Sequence, residues 1–152
     1  MSAGTWAALA LALTATAATP REAEIRLTAT EAAALAPVAS GAGTSGVHGI
    51  ETRLLSGDPT RPGPYTISIR VPANTRIAAH THRDDRSAVV VAGLWHFGYG
   101  KRADGSATRA LPPGSFYTEP ADDAHFAWTG PEGATVYISG QGPSDTIYLS
   151  GK

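Results

Sequence analysis

The sequence predicts an all-β domain, folded as a sandwich or a barrel, from the spacing of its apolar segments. The 152-residue chain contains 17 glycines and 11 prolines, and most of them separate short apolar runs. After residue 50 these runs recur roughly every 8–12 residues with Gly, Pro and Asp between them, which is typical of many short strands joined by turns. The length suits one domain with a substantial core.

The first 17 residues are interpreted as an export signal. The segment TWAALALALTATAA is apolar and rich in small residues, and Ala15-Thr16-Ala17 forms an A-x-A cleavage site before Ala18. The segment before it has no lysine or arginine, so an alanine-rich helix packed on the domain is the alternative. We expect a periplasmic or secreted protein that has no membrane segment after cleavage.

Residues 18–48 are predicted to form an N-terminal extension ahead of a barrel domain at residues 49–152. Within the extension, TATEAAALAP predicts one or two helical turns that open at Thr30, with Glu31 in the first turn where the helix dipole favours it. The glycine-rich stretch that follows is predicted to be a loop, and its His48 has no assigned role.

Alternation in YTISIRV places Ile67, Ile69 and Val71 on one face of a strand. Further strands are predicted in the apolar runs between the turns. SAVVVAG and LWHFGYG are interpreted as two separate strands, and so are AHFAWTG and ATVYISGQG. KRADGSATRALPPG is interpreted as a connection.

Composition excludes several classes of function. The formal net charge is -1 and the pI is near 6.5, so nothing indicates a nucleic-acid partner. There is no cysteine, which excludes disulfide and thiolate chemistry and leaves nitrogen and oxygen ligands for any metal. No nucleophile elbow, phosphate-binding glycine loop or zinc-protease helix motif occurs.

Three histidines carry the strongest chemical signal. His80 and His82 lie at i and i+2 of a strand, so both imidazoles leave the same face, with Cα atoms about 7 Å apart. His125 follows a turn that opens with proline and begins another apolar strand, so all three converge if the two strands are neighbours. Such a cluster suits a metal site, although an exposed H-x-H pair also occurs by chance.

The spacing of these residues resembles the two cupin motifs. Gly93 follows the H-x-H pair by eleven positions, and Gly114, Pro120 and His125 form the second motif. The resemblance covers about residues 50–150 and implies a cupin-type jelly-roll β-barrel, an architecture in which a small barrel can enclose a ligand cavity. More narrowly, the chain resembles a branch of small single-domain bacterial cupins.

The resemblance implies that His80, His82 and His125 bind a divalent transition metal, such as Fe, Mn, Ni, Cu or Zn. Arg86 is the main departure, because it stands where cupins usually carry a ligand glutamate and a guanidinium cannot bind a metal. Relatives usually have an apolar residue at the position of Glu119, which makes this carboxylate the candidate replacement.

Alternation in GSFYTEP places Tyr117 and Glu119 on the inward face of a strand and Phe116 and Thr118 on the other. A lone buried carboxylate is costly, so Glu119 is either a metal ligand or general base, or one half of an internal ion pair with Arg86. The two roles can coexist. Tyr117 is expected to line the same cavity, where its hydroxyl donates to a substrate or its ring packs.

Weaker signals come from His96 and from the charged turn RDDR. His96 is either an extra ligand or substrate contact, or a satisfied core or rim histidine. Asp84 and Asp85 are interpreted as solvated. Asn74 and Asp122 stand where the family usually has glycine, and asparagine tolerates positive φ.

We therefore expect a metal-dependent cupin enzyme that acts on a small organic substrate, with Glu119, Tyr117 and Arg86 as candidate catalytic residues. Dioxygenase chemistry is favoured over isomerase or lyase chemistry, since a metal with open positions can activate substrate, oxygen or water. One alternative is a non-catalytic exported protein that binds a small ligand or stores metal. Another is a cupin without metal in which Arg86 binds an anionic ligand. The family also implies a homodimer.

Overall fold

A computed structural model describes residues 23–149, and the interpreted signal peptide lies outside them. The described chain consists mostly of antiparallel strands, which confirms the all-β prediction. Among residues 23–149 no helix is long and apolar enough to cross a bilayer. The elements are α1 (Ala29–Ala34), β1 (Glu51–Gly57), β2 (Gly63–Val71), β3 (Arg76–Thr81), β4 (Arg86–Tyr99), a 3-10 turn (Gly105–Ala107), β5 (Arg109–Leu111), β6 (Phe116–Glu119), β7 (His125–Gly142) and β8 (Ile147–Tyr148).

The eight strands form one hydrogen-bonded network, and its two long strands, β4 and β7, bend so that the network is divided into two facing sheets. The two strands are antiparallel, so the first half of β4 (residues 86–93) pairs with the last half of β7 (residues 134–140). The last half of β4 (residues 95–99) pairs with the first half of β7 (residues 125–129). Strands β1, β2 and β6 complete the first sheet around the first of these pairs. Strands β3, β5 and β8 complete the second sheet around the other pair. One apolar cluster joins the facing sides of the two sheets.

The bend between the sheets lies at Gly93, which has a φ of +73°. A Cβ atom there would lie 2.1 Å from the carbonyl oxygen of Gly133, and bulges interrupt the ladder on both sides. The prediction of separate strands on either side of this point is therefore wrong, because the ladder continues through the glycines. The same correction applies to β7, and part of the predicted connection forms β5.

The inward faces of the strands follow the predicted alternation. Ile67, Ile69 and Val71 are all buried, as is Tyr65 at the start of the same face. Asn74 has a φ of 55°, the positive value that its motif position requires.

The helix of the N-terminal extension begins at Ala29, one residue before the predicted opening. Thr28 is the N-cap, because its side chain accepts a hydrogen bond from the Glu31 N–H at 3.3 Å. The Glu31 carboxylate in turn accepts one from the Thr28 N–H at 2.7 Å, which completes a capping box.

A loop of the extension, residues 41–46, lies across one end of the domain and contacts the C-terminal segment. The Thr146 hydroxyl donates to the carbonyl oxygen of Thr44 at 3.0 Å, and the Tyr148 hydroxyl donates to that of Ser45 at 2.7 Å. We call residues 41–46 the cavity loop, because residues within it line the cavity described below. Its contacts join segments about a hundred residues apart in the sequence.

Candidate metal centre

The three predicted histidines converge inside the domain. Strands β3 and β7 are neighbours, and His80 and His125 are directly opposite each other in their register. His82 follows the end of β3, and all three residues are buried. Their ring centroids are 4.4–5.0 Å apart, and one nitrogen from each ring lies within 4.8 Å of the other two. One metal ion can therefore contact all three side chains.

Backbone carbonyl groups fix the orientation of all three imidazoles. A carbonyl oxygen only accepts hydrogen bonds, so each Nδ1 that contacts one carries the proton. In the neutral ring, Nε2 then keeps its lone pair for a metal. The three pairs are His80 with Ala78 at 2.8 Å, His125 with Asp123 at 3.0 Å, and His82 with Asp145 at 2.5 Å.

The imidazoles are uncharged at neutral pH. Burial lowers the pKa of His80 and of His125 to about 4, and burial together with the nearby Arg86 guanidinium lowers the pKa of His82 to about 2. A metal ligand must be deprotonated, so these rings need no further proton loss before they bind an ion.

Glu119 adds an oxygen donor to the three nitrogens. Its Oε2 atom lies 3.6 Å from His82 Nε2 and 3.7 Å from His125 Nε2, and the residue is 4% exposed. Within the described chain, neither Glu119 Oε2 nor His125 Nε2 has a hydrogen-bond partner, and burial raises the pKa of the Glu119 carboxyl. Because buried polar atoms are rarely left unpaired, this donor set fits a divalent transition metal.

Arg86 faces the same cavity from the other side. It is the cross-strand partner of Glu119, and its Nη1 lies 3.6 Å from Glu119 Oε2. Its Nη2 donates to the Ser144 hydroxyl at 2.6 Å and to the carbonyl oxygen of Asp145 at 3.1 Å. Its Nε lies 3.5 Å from Asp84 Oδ1, so the guanidinium contacts two carboxylates.

Asp84 is buried, and the prediction that it is solvated is wrong. Its carboxylate accepts hydrogen bonds from the Tyr65 hydroxyl at 2.6 Å and the Ser144 hydroxyl at 2.7 Å. Asp85 is exposed, as predicted. The signal for Asp84 was present in the alternation, because every second residue from 80 to 90 is buried, straight through the charged turn.

Tyr117 is buried on the inward face with Glu119, as the alternation predicts. Its ring packs on Phe97 with centroids 4.1 Å apart. It lines a groove of about 610 Å³, and burial together with the nearby Glu119 carboxylate raises the pKa of its hydroxyl well above the ordinary value. A catalytic role for Tyr117 stays a prediction.

His96 lies on the outer face of β4. Its neighbours Trp95 and Phe97 point into the core, so its side chain points away from the three histidines. It stacks on Trp128, with ring centroids 3.6 Å apart and planes 9° apart. The structure thus favours the interpretation of a packed rim histidine over that of an extra ligand.

The cavity at the histidines is small, with a volume of about 30 Å³. That volume accommodates about two water-sized groups. The cavity loop and Thr146 line one side of it, and apart from the three histidines, Arg86 and Glu119 the other walls are apolar. Its lining comprises Gly43, Thr44, Ser45, Ile69, Ile77, His80, His82, Arg86, Trp95, Phe97, Glu119, His125, Ala127, Ile138 and Thr146.

No protein-family model matches the chain, and no curated protein matches it significantly. Solved structures do match. The polyketide cyclase RemF from Streptomyces resistomycificus has a TM-score of 0.65 at 15% identity, over 84% of this chain and 88% of that chain. An RmlC-like cupin from Shewanella frigidimarina has a TM-score of 0.55 at 18% identity, over 79% and 92%.

A third structure, a sugar phosphate isomerase of the cupin superfamily from Silicibacter pomeroyi, has a TM-score of 0.56 at 18% identity, over 77% and 76% of the two chains. At these levels of identity the likeness concerns the fold, and it extends over most of each chain. The predicted jelly-roll barrel is therefore confirmed, and the chain has the fold of these cupin structures.

Proposed function

We propose that the protein is a metal-dependent enzyme, in which His80, His82, His125 and Glu119 hold a divalent transition metal and a small organic substrate binds beside it. The observation that carries this proposal is that two buried atoms among the three oriented imidazoles, Glu119 Oε2 and His125 Nε2, have no hydrogen-bond partner within the described residues. Three nitrogens and one oxygen leave further positions open on most first-row metals.

The bound metal would supply Lewis-acid or redox chemistry at those open positions. The residues of the chain would hold the metal and orient its ligands and the substrate. The three carbonyl contacts hold the imidazoles, and Arg86 holds Glu119 and faces the substrate position. The apolar walls and the cavity loop exclude bulk water, which strengthens every electrostatic contact inside.

The names of the similar structures support catalysis, since two of them are a cyclase and an isomerase. We favour oxygen-dependent chemistry and place isomerase or lyase chemistry second. The small cavity favours a second candidate, a non-catalytic protein that binds or stores metal, because about 30 Å³ leaves little room for a substrate. We also propose export with cleavage after Ala17, and a homodimer.

Metal analysis is the first test. Wild-type protein should hold metal in a stoichiometric amount, and His80→Ala, His82→Ala and His125→Ala should each hold far less. His96→Ala is the matched control, because it removes an imidazole outside the site. Full metal content in any of the three variants would exclude that histidine as a ligand.

Turnover separates the two candidates. Metal-loaded protein is incubated with a panel of small diketones, phenolic ketones and hydroxy acids, with and without oxygen. Product that needs oxygen indicates a dioxygenase, and product without oxygen indicates an isomerase or lyase. Stoichiometric metal with no turnover would favour the storage candidate. N-terminal sequencing of native protein tests cleavage, and light scattering tests the dimer.

A further inference from the structure

We infer that the groove lined by Tyr117 is a binding site for an aromatic carboxylate, separate from the cavity that contains the three histidines. The groove has a volume of about 610 Å³, whereas the histidine cavity has about 30 Å³. It is lined by residues other than the four candidate metal ligands. The inference therefore goes beyond the proposed metal site and does not depend on it.

The groove lies where the two sheets separate. Strands β5 and β6 border it, and among the described strands each of them pairs with β4 alone. Strand β6 pairs with residues 86–89 of β4, ahead of the bend at Gly93, and β5 pairs with residues 95–97, beyond it. The two edge strands consequently belong to different sheets, and the groove is the space between their edges.

Hydrogen bonds hold the walls of the groove in place. The Tyr99 hydroxyl donates to the carbonyl oxygen of Thr118 at 2.6 Å, which ties the end of β4 to β6. On the opposite wall, the Asp104 carboxylate accepts hydrogen bonds from the Ser106 N–H at 2.9 Å and from the Ser106 hydroxyl at 2.7 Å. A site with fixed walls loses little conformational entropy when a ligand binds.

Aromatic rings make up much of the lining. They belong to Phe97, Tyr99, Phe116 and Tyr117. The ring centroid of Phe97 lies 4.1 Å from that of Tyr117 and 5.2 Å from that of Tyr99, the latter pair being edge to face. Phe116 is 63% exposed at the rim, so its ring is free to cover a ligand. Rings in this arrangement favour a flat aromatic molecule, which can stack on them or meet their edges.

Arg109 gives the groove a positive charge. It is exposed, and within residues 23–149 it forms no ion pair. The other polar side chains of the lining, Ser106, Thr108 and Thr118, are neutral hydroxyls that can donate or accept hydrogen bonds. A guanidinium matches the geometry and the charge of a carboxylate. A ligand with one aromatic face and one carboxylate therefore complements both features of the groove.

Naphthoate is the probe for the test, because its fluorescence changes when it passes from water into an apolar site. Naphthamide keeps the rings and lacks the charge, and cyclohexanecarboxylate keeps the charge and lacks the aromatic rings; both are measured by displacement of naphthoate. The test variants are Arg109→Gln and Phe116→Ala, which change exposed side chains. Arg83→Gln and Leu54→Ala are the matched controls, because these residues lie outside the groove lining.

The expected result is saturable binding of naphthoate to the wild type, with the same affinity before and after treatment with a chelator. Naphthamide, and naphthoate with Arg109→Gln, should bind about threefold more weakly or worse, the effect of losing one exposed ion pair. Cyclohexanecarboxylate, and naphthoate with Phe116→Ala, should bind about fivefold more weakly or worse, because aromatic contact is lost. Both control variants should match the wild type.

Several outcomes would overturn the inference. Equal affinity of Arg109→Gln and the wild type for naphthoate, or equal affinity of the wild type for naphthoate and naphthamide, would show that no carboxylate is recognised. Binding that disappears when a chelator removes metal would place the ligand at the histidines. Absence of saturable binding, together with a dimer that Phe116→Ala converts into a monomer, would show that a second copy of the chain covers the groove.

Discussion

Arg86 and Glu119 are directly opposite each other on neighbouring strands, and the Glu119 carboxylate lies 3.6 Å from the His82 imidazole and 3.7 Å from that of His125. The cupin resemblance places the ligand glutamate at position 86, and here Glu119 occupies the facing position on β6. Asp84 then supplies a negative charge beside the arginine. The exchange therefore keeps an oxygen donor at the centre and gives the guanidinium a partner of its own.

Glu119→Gln should lower metal affinity by about tenfold or more, since even residues that only orient metal ligands contribute 10–100-fold. The free energy of unfolding of the metal-free protein should stay the same or rise, because a neutral amide is easier to bury than a carboxylate and Arg86 still contacts Asp84. Metal titration and urea unfolding measure the two effects, with the exposed Glu132→Gln as control. Retained metal affinity with a large loss of stability would identify Glu119 as a purely structural partner of Arg86.

Asp84→Asn should destabilise the metal-free protein by about 1–3 kcal/mol, because the Tyr65 and Ser144 hydroxyls lose a charged acceptor, while Arg86 keeps its contact with Glu119. Asp85→Asn is the neighbouring control, and as an exposed substitution it should change stability by less than about 0.5 kcal/mol. Urea unfolding measures both. Equal effects of the two substitutions would mean that Asp84 contributes no more than a surface residue.

At the scale of the strands, the alternation of residues predicted correctly which side chains point inward. In the charged turn RDDR, the local composition led to a wrong prediction of exposure. The inward positions of Ile67, Tyr117 and Glu119 follow from period two alone. Asp84 was missed because a run of four charged residues is usually solvated, although it keeps the same period.

The continuity of β4 and β7 could not be read from the sequence. Glycine normally ends a strand, and only the opposite strand shows why Gly93 bends one instead: the close approach of the Gly133 carbonyl leaves no room for a side chain. The contacts of Arg86 with two carboxylates could not be predicted from the sequence either, because they depend on which strands are neighbours.

Gly93→Ala should destabilise the protein by more than about 2 kcal/mol, since positive φ alone costs a residue with a Cβ atom about 1–3 kcal/mol and that atom also overlaps the Gly133 carbonyl. Gly105→Ala is the control, because a Cβ atom there meets nothing within 4 Å. Thermal unfolding compares the two. A Gly93→Ala variant as stable as the control would show that the bend does not depend on glycine.

At the scale of the whole molecule, the candidate ligands of the proposed metal include residues of β3, β6 and β7 and so come from both sheets. An ion that binds only the folded protein stabilises it by about 2.7 kcal/mol at a free concentration of 100 times Kd. Metal should therefore raise Tm by roughly 5–10 °C for a domain of this size. Calorimetry with metal and with a chelator measures the shift. An unchanged Tm would mean that no such ion is bound.

The cavity loop has a consequence for rates. Its two hydrogen bonds, from Thr146 and Tyr148, hold it beside the cavity that contains the three histidines. We expect that a chelator reaches the proposed ion only when the loop moves, so that loop opening as well as the strength of the ligand bonds sets the rate of metal release.

Tyr148→Phe removes one of these hydrogen bonds and keeps the ring beside His80. It should speed metal transfer to a chelator several-fold, as the loss of about 1 kcal/mol from the closed state implies, while metal affinity at equilibrium changes little. Stopped-flow transfer to a coloured chelator measures this rate, and a rate equal to that of the wild type would mean that the loop does not limit exchange. The time for which the proposed ion stays in place would then depend on a contact between Ser45 and Tyr148, neither of which is a candidate ligand.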